Sequence, residues 1–201
     1  MQDQFPEIEK APIETAYGNF DFYCFSWGSH EEDNILCAAK ATTEHLPLVR
    51  VQSACYTAEI FRSTDCDCHA QLDTSLRRVG AEGGALIYML CYGRGAGLLS
   101  KVRGLALGHI RGLDTFDAYE AMGIPEDARE YHRAAVVLRH IGLTSVRLMT
   151  NNPRKLDGLI LAGLDVQREP LEIPSTSGSR PYLSTKARKM GHLLSEFAKR
   201  T

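Results

Sequence analysis

A chain of 201 residues with 44% hydrophobic and 24% charged side chains can bury a sizeable core, which excludes a disordered or fibrous protein. With 23 basic against 25 acidic residues the formal net charge is −2, so no overall field recruits nucleic acid or an anionic membrane surface. The charge is uneven: residues 1–33 hold eight acids and one base, and residues 174–201 hold six bases and one acid, a pattern of solvated surface that could instead serve an anionic ligand. Apolar runs fall far short of the roughly 20 residues that span a bilayer. The acidic start, Met1 to Glu7, lacks the basic and apolar regions of a secretory signal. A soluble cytoplasmic protein with reduced cysteines is expected.

In chain order, β-branched and aromatic residues between turn formers predict strands within 14–62, at 20–27, 35–41 and 46–61. Leu72, Leu76 and Val79 then recur at helical spacing over 69–81, and Gly83-Gly84 stops the helix. A short apolar run predicts a buried strand at 85–90, followed by Gly93-Arg94-Gly95-Ala96-Gly97 and a helix over 98–110. Helices are expected at 115–122 and 130–141, and a strand at 146–149. Asn152 as N-cap and Pro153 at the first position open another helix. After a last strand near 166–172, residues 173–181 read as a flexible segment and 184–199 as a basic final helix. The β-rich first third and the alternation after it predict one α/β domain over 1–201, a mixed sheet with helices on its faces.

Three features could carry chemistry. Cys55 closes a predicted strand, and Cys66-Asp67-Cys68 lies in the turn before a helix. Three thiolates could hold one zinc ion and leave its fourth tetrahedral position to water, the catalytic arrangement; three unconnected buried thiols are the other reading. His69 reads as a helix-start histidine before a fourth ligand. Second, the glycines of 93–97 between strand and helix let a backbone approach an anion, although a plain tight turn would look the same. Leu98 stands where a dinucleotide fingerprint needs its third glycine. Third, Arg50, Arg94, Arg129 and Lys155 fall at element ends. Asp127 lies two residues before Arg129, a pairing that suits a proton acceptor beside a phosphate-binding or nucleophilic group, or a simple salt bridge. Cys24 and Cys37 are expected to be core thiols, Trp27 a packing residue, and His109, His132 and His140 surface or core histidines.

Several segments closely resemble GTP cyclohydrolase II: Val49-Arg50-Val51-Gln52-Ser53-Ala54-Cys55-Tyr56-Thr57, Cys66-Asp67-Cys68-His69-Ala70-Gln71-Leu72, and Gly93 to Leu99. So do Leu113-Asp114-Thr115, Asp127-Ala128-Arg129, the run from Leu148 through Thr150-Asn151-Asn152 to Pro153, and Thr185 to Leu194. The matches run in order from about 45 to 195. The resemblance implies an enzyme that opens the imidazole ring of GTP and releases formate and diphosphate, the first step of flavin synthesis. It implies one zinc per chain on Cys55, Cys66 and Cys68, with magnesium on the triphosphate, and a homodimer. Asp127 matches the family's proton acceptor, and Arg129 its proposed nucleophile towards the α-phosphate. Arg50, Gln71, Gly93, Arg94, Thr115, Thr150 and Lys155 match nucleotide-contacting positions, and Tyr92 stands at another.

The departures from the family cluster. Where the family has Val-His-Ser-Glu-Cys, this chain has Gln52 and Ala54 in place of the histidine and the carboxylate. Cys91-Tyr92 replaces Gln-Glu, whose carboxylate would accept the guanine N1–H and amino protons; a phenol is no double acceptor. Leu105 occupies the place of the catalytic tyrosine and can neither transfer a proton nor donate a hydrogen bond, leaving Tyr92 or Tyr119 as stand-ins. Zinc ligands and phosphate cations are therefore kept while base-reading and proton-shuttling positions differ. Three functions fit: the ordinary reaction; a relative that uses another nucleotide or stops at the formamide; and a zinc-bearing nucleotide binder without turnover, against which the intact Asp127 and Arg129 speak.

Overall fold

The computed structural model of the chain describes residues 5–125, 127 and 129–198. Its strands are β1 (Glu7–Thr15), β2 (Gly18–Ser26), β3 (Asn34–Lys40), β4 (Leu48–Ser53), β5 (Gly84–Met89), β6 (Ser145–Met149) and β7 (Asp165–Glu169). The helices are α1 (Tyr56–Glu59), α2 (Cys68–Glu82), α3 (Leu98–Arg111), α4 (Thr115–Ala121), α5 (His132–His140), α6 (Pro153–Leu161) and α7 (Arg180–Lys189). Among the described residues the strands form one sheet in the order β1-β2-β3-β5-β4-β6-β7. The first three strands and β5 pair antiparallel, whereas β5, β4, β6 and β7 run parallel. The mixed α/β sheet with covering helices is the expected architecture.

The central strand β4 alternates by the two-residue period of a pleated strand. Val49 and Val51 join the larger core with Phe25, Ile87, Leu148 and the α5 and α6 residues Val137, Leu138 and Leu159. Leu48 faces the opposite way, towards Val79 of α2, Phe20 and Leu171. Helices therefore cover both faces. Cys37 lies in the larger core, where burial pushes its thiol up to about 12. Trp27 packs against the same core, with the Arg133 guanidinium 5.1 Å from its ring centroid.

Three boundaries differ from expectation. A strand begins at Glu7, where charged residues and Pro12 hid it; β1 is an edge strand, and a missing N–H is tolerated there. The predicted strand 46–61 stops at Ser53. The Glu59 carboxylate catches the Cys55 N–H at 3.1 Å, and the chain turns into α1. The segment read as flexible gives way to α7 at Arg180, because Pro181 suits a helix's first turn. That helix ends at Lys189, where Gly191 takes a left-handed φ of +67°; residue 199 lies outside the described residues. No helix among the described residues is long and apolar enough to cross a membrane.

Gly80 fixes how closely α2 approaches the β1–β2 turn: a Cβ there would stand 2.2 Å from the Tyr17 carbonyl oxygen. Gly80→Ala raises helix propensity by about 1 kcal/mol, yet it should destabilise the protein by roughly 1–3 kcal/mol through backbone overlap. Thermal unfolding would show a fall of a few degrees; a rise would mean that the turn yields without cost.

Candidate active site

The site lies at the carboxyl ends of β4, β5 and β6. The chain leaves β4 for β5 on one side, while β6 docks on the other, so the connections part above β4 and open a crevice. Two long polar side chains, Arg50 and Gln52, interrupt the apolar Leu48, Val49 and Val51 of this strand. Arg50, 5% exposed, donates from Nη2 to Gln52 Oε1 at 2.7 Å and Gln71 Oε1 at 2.6 Å, and from Nη1 to the Met149 carbonyl at 2.8 Å. Burial lowers the guanidinium to about 10. Gln52 Nε2 in turn donates to Glu59 at 2.8 Å, and Tyr88 Oη donates to the same carboxylate. A satisfied buried network of this kind holds its side chains in one fixed arrangement at the end of the central strand.

Beside it the three cysteines converge. Cys55 follows β4, Cys66 ends the loop, and Cys68 opens α2; their sulfurs lie within 4.8 Å of one another. Cys55 and Cys66 Sγ are 3.8 Å apart. A tetrahedral zinc with Zn–S bonds of about 2.3 Å needs sulfur–sulfur separations of about 3.8 Å, so the donor set fits that ion. Hydrogen bonds from Cys66 and Cys68, aided by Lys101, drive the Cys55 thiol down, whereas Cys55 pushes Cys66 up to about 11 and, with Cys66 and burial, raises Cys68 well above the ordinary thiol value. One thiolate thus forms ahead of the others. His69 stands apart from the cluster, against Arg62.

A cationic wall faces the cysteines. Arg129 binds Asp127 bidentately, Nε to Oδ1 and Nη2 to Oδ2 both at 2.7 Å, and its Nη1 reaches Ser53 Oγ at 3.1 Å. Burial opposes the charge on Asp127, but the guanidinium holds its carboxyl below the usual range. Lys155 donates to the Val51 carbonyl at 2.7 Å; burial, then Arg50 and Arg129, press its ammonium well below the ordinary value. Arg94 is buried at a left-handed φ of +57°, its guanidinium 5.5 Å from the centroid of Tyr119. Such a conformation costs a non-glycine residue about 1–3 kcal/mol and is typical of functional loops. The turn from Gly93 ends at Gly97, which caps α3.

The same cleft is lined by Gln71, Tyr92, Gly93, Thr115 and Thr150, so all the sequence-predicted residues except Cys66 and Asp127 border it directly. Cys66 belongs to the sulfur cluster, and Asp127 lies behind Arg129. Tyr92 packs on Tyr56 with ring centroids 4.2 Å apart; its hydroxyl is buried with no hydrogen-bond partner among the described residues. Leu105 lines a neighbouring hollow that shares Thr57, Lys101, Thr115 and Tyr182 with the cleft. Tyr119 borders the cleft and donates to the Gly93 carbonyl at 3.1 Å. Sequence reasoning missed Lys101, Lys186, Tyr182 and His192, which also line the cleft. The basic tail signalled the second, since Lys186 Nζ lies 3.9 Å from Asp67, whereas Lys189 pairs with Asp114 and Asp117. His132 pairs with Glu130 at 3.3 Å.

The family model described as GTP cyclohydrolase II matches residues 6–170. The chain belongs to the GTP cyclohydrolase II family. The riboflavin biosynthesis protein RibBA of Staphylococcus epidermidis is 39% identical over 186 residues, which is 92% of this chain and 47% of that protein. RibBA of Staphylococcus aureus strain COL is 39% identical over 193 residues, 94% of this chain and 49% of the relative. The chain thus spans about half the length of these curated relatives. Among solved structures, RibBX, a two-domain 3,4-dihydroxy-2-butanone 4-phosphate synthase from A. baumannii, aligns with 88% of this chain and 38% of its own at 18% identity and a TM-score of 0.40. For a GTP cyclohydrolase II family member, the three thiols and the cationic wall are the site to be read chemically.

Proposed function

We propose that residues 1–201 form one GTP cyclohydrolase II-type domain, a zinc-dependent hydrolase that opens the imidazole ring of a purine nucleoside triphosphate and releases diphosphate and formate. The observation that carries this reading is the meeting of a three-thiol cluster and a wall of Arg50, Arg94, Lys101, Arg129, Lys155 and Lys186 in one cleft. Zinc bound to Cys55, Cys66 and Cys68 would supply a water with a pKa of about 7, which loses its proton at neutral pH. The cations neutralise the triphosphate, and magnesium fits there through phosphate oxygens. Arg129 binds the α-phosphate or, in the role its family position implies, attacks the α-phosphorus after passing a proton to Asp127, whose Oδ1 lies 2.7 Å from Nε. The N–P bond forms as the α–β P–O bond breaks and diphosphate leaves, and water later cleaves the N–P bond. Gln71, Gly93, Thr115 and Thr150 position the nucleotide, and Tyr92 faces the base. Leu99, Val102, Ala106 and Ile110 form an exposed apolar face on α3 that suits contact with a second copy in a homodimer.

A second reading is favoured by Leu105, which lies outside the cleft, while Tyr119, one of the two phenols that could stand in for the family's tyrosine, is committed to the Gly93 carbonyl. On that reading the enzyme stops at the formamide or takes a different nucleotide. Zinc-loaded protein incubated with GTP and other nucleoside triphosphates, followed by mass spectrometry, separates them. Diphosphate with formate and a diaminopyrimidine from GTP supports the first reading, and diphosphate without formate, or turnover of another nucleotide only, the second. Binding with no product from any nucleotide would sink both.

A further inference from the structure

His192 occupies an unusual position for an imidazole. After α7 the chain turns at Gly191 and runs back across the cleft mouth, where it is tied down at several points. The Leu193 N–H donates to the Asn151 carbonyl at 2.8 Å, Arg168 Nη2 donates to the Leu193 carbonyl at 3.2 Å, and the Ser195 N–H donates to Glu172 at 2.8 Å. Asn151 is itself fixed, accepting from the Leu171 N–H at 3.1 Å and donating to the Leu171 carbonyl at 2.5 Å. The anchored turn sets His192 against the cleft with its Nδ1 buried and without a hydrogen-bond partner among the described residues.

Three cations act on the ring, Lys186 from α7, Arg129 from the segment before α5 and Lys155 from α6, while the nearby carboxylates are engaged with them: Asp127 pairs with Arg129 at 2.7 Å and Asp67 lies 3.9 Å from Lys186. The Asn151-Asn152 turn beside them is uncharged. Burial first, and then these three cations, lower the imidazole to about 3, against a smaller opposing pull from the Met190 backbone. In the free protein the ring is therefore neutral at physiological pH. A polyanion seated among the same cations reverses the sign of the field at Nδ1.

We propose that His192 is a proton-coupled phosphate ligand: as a phosphate chain settles against Lys155, Lys186 and Arg129, His192 Nδ1 takes a proton from solvent and becomes an additional phosphate-binding cation. The inference rests on reading the cleft as a triphosphate site. An N–H donor forms when ligand arrives, and when the polyanion departs the proton returns to solvent. The free site is thereby spared a further buried positive charge. Affinity should strengthen as pH falls, because the bound state holds one more proton than the free state.

Inorganic tripolyphosphate tests this without requiring turnover. Calorimetric titrations of the zinc-loaded protein near pH 7, in buffers of different ionisation enthalpy, give the protons taken up per ligand. The wild-type protein should take up more than His192→Asn, by a difference approaching one proton. Its affinity should also gain on the variant by up to about tenfold per pH unit between roughly pH 8 and pH 6. Equal uptake by the two proteins overturns the proposal alone, leaving the phosphate reading intact. Failure of the wild-type protein to bind tripolyphosphate overturns both. Should the variant not fold, the nitrogen-15 shifts of the His192 ring in the wild-type protein, with and without tripolyphosphate, decide the same question: imidazolium shifts on binding support it, and unchanged neutral shifts refute it.

Discussion

Asp127→Ala should eliminate product formation and lower the melting temperature by about 10 °C. The stability effect follows from burial: the Asp127 side chain is 0% exposed and that of Arg129 is 12% exposed, at 2.7 Å from each other. Removing the carboxylate strands a guanidinium away from water, which costs about 3–5 kcal/mol, and each kcal/mol is worth roughly 2–4 °C in a chain of this size. Arg154 cannot replace the lost partner, since it has the same charge as Arg129 and approached only the deleted carboxylate, at 3.6 Å. Asp127→Asn separates stability from chemistry. The amide keeps the shape and one acceptor for Arg129 but not the charge, so the melting temperature should fall less than in the alanine variant, while a group that accepts a proton is gone. Thermal unfolding and mass-spectrometric product assays on both variants provide the test. Undiminished product from the asparagine variant would reduce Asp127 to a structural partner of Arg129.

The sequence was most legible where one local rule decided the outcome. The period of Leu72, Leu76 and Val79 specified α2, and Asn152-Pro153 marked the start of α6, whose Asn152 Oδ1 accepts the Arg154 N–H at 3.0 Å. The candidate ligands were visible too, because Cys66 and Cys68 are one residue apart and Cys55 closes a neighbouring strand, a spacing that suits one metal ion. Legibility failed where tertiary contacts overrode local pattern. The run after Ser53 has a strand's composition, but Glu59 draws the Cys55 N–H into a turn, and that turn delivers the sulfur to the cluster. The tail read as a charged solvated surface sorts residue by residue: Lys189 ends on Asp114 and Asp117, while Lys186 enters the cleft. Charge counting cannot make that distinction, because it depends on which side of α7 packs against α4. His192 was hidden for a related reason, since its place depends on an anchor at Asn151 some 40 residues earlier in the chain.

Base recognition should depend on a single phenol. Tyr92 is 7% exposed, its ring rests on Tyr56, and its buried hydroxyl has no hydrogen-bond partner among the described residues. A buried polar group left unsatisfied costs about 1–3 kcal/mol, so Tyr92→Phe should leave the melting temperature of the free protein unchanged or raise it. The effect on catalysis should be opposite. A site that hydrogen-bonds its substrate discriminates strongly, because the wrong ligand leaves a buried group unpaired; without the hydroxyl, that penalty vanishes. The ratio of kcat/KM between the best and the worst purine triphosphate should therefore collapse by about a hundredfold or more. Most of the change should appear as lost activity on the preferred nucleotide, since Phe retains the contact with Tyr56 but offers the base edge nothing. Tyr92→Glu provides the converse: a carboxylate accepts two hydrogen bonds and donates none, so it should shift preference towards bases that present adjacent N–H groups, as guanine does. An unaltered specificity ratio in both variants would mean that Tyr92 only packs against Tyr56 and that the base is read elsewhere in the cleft.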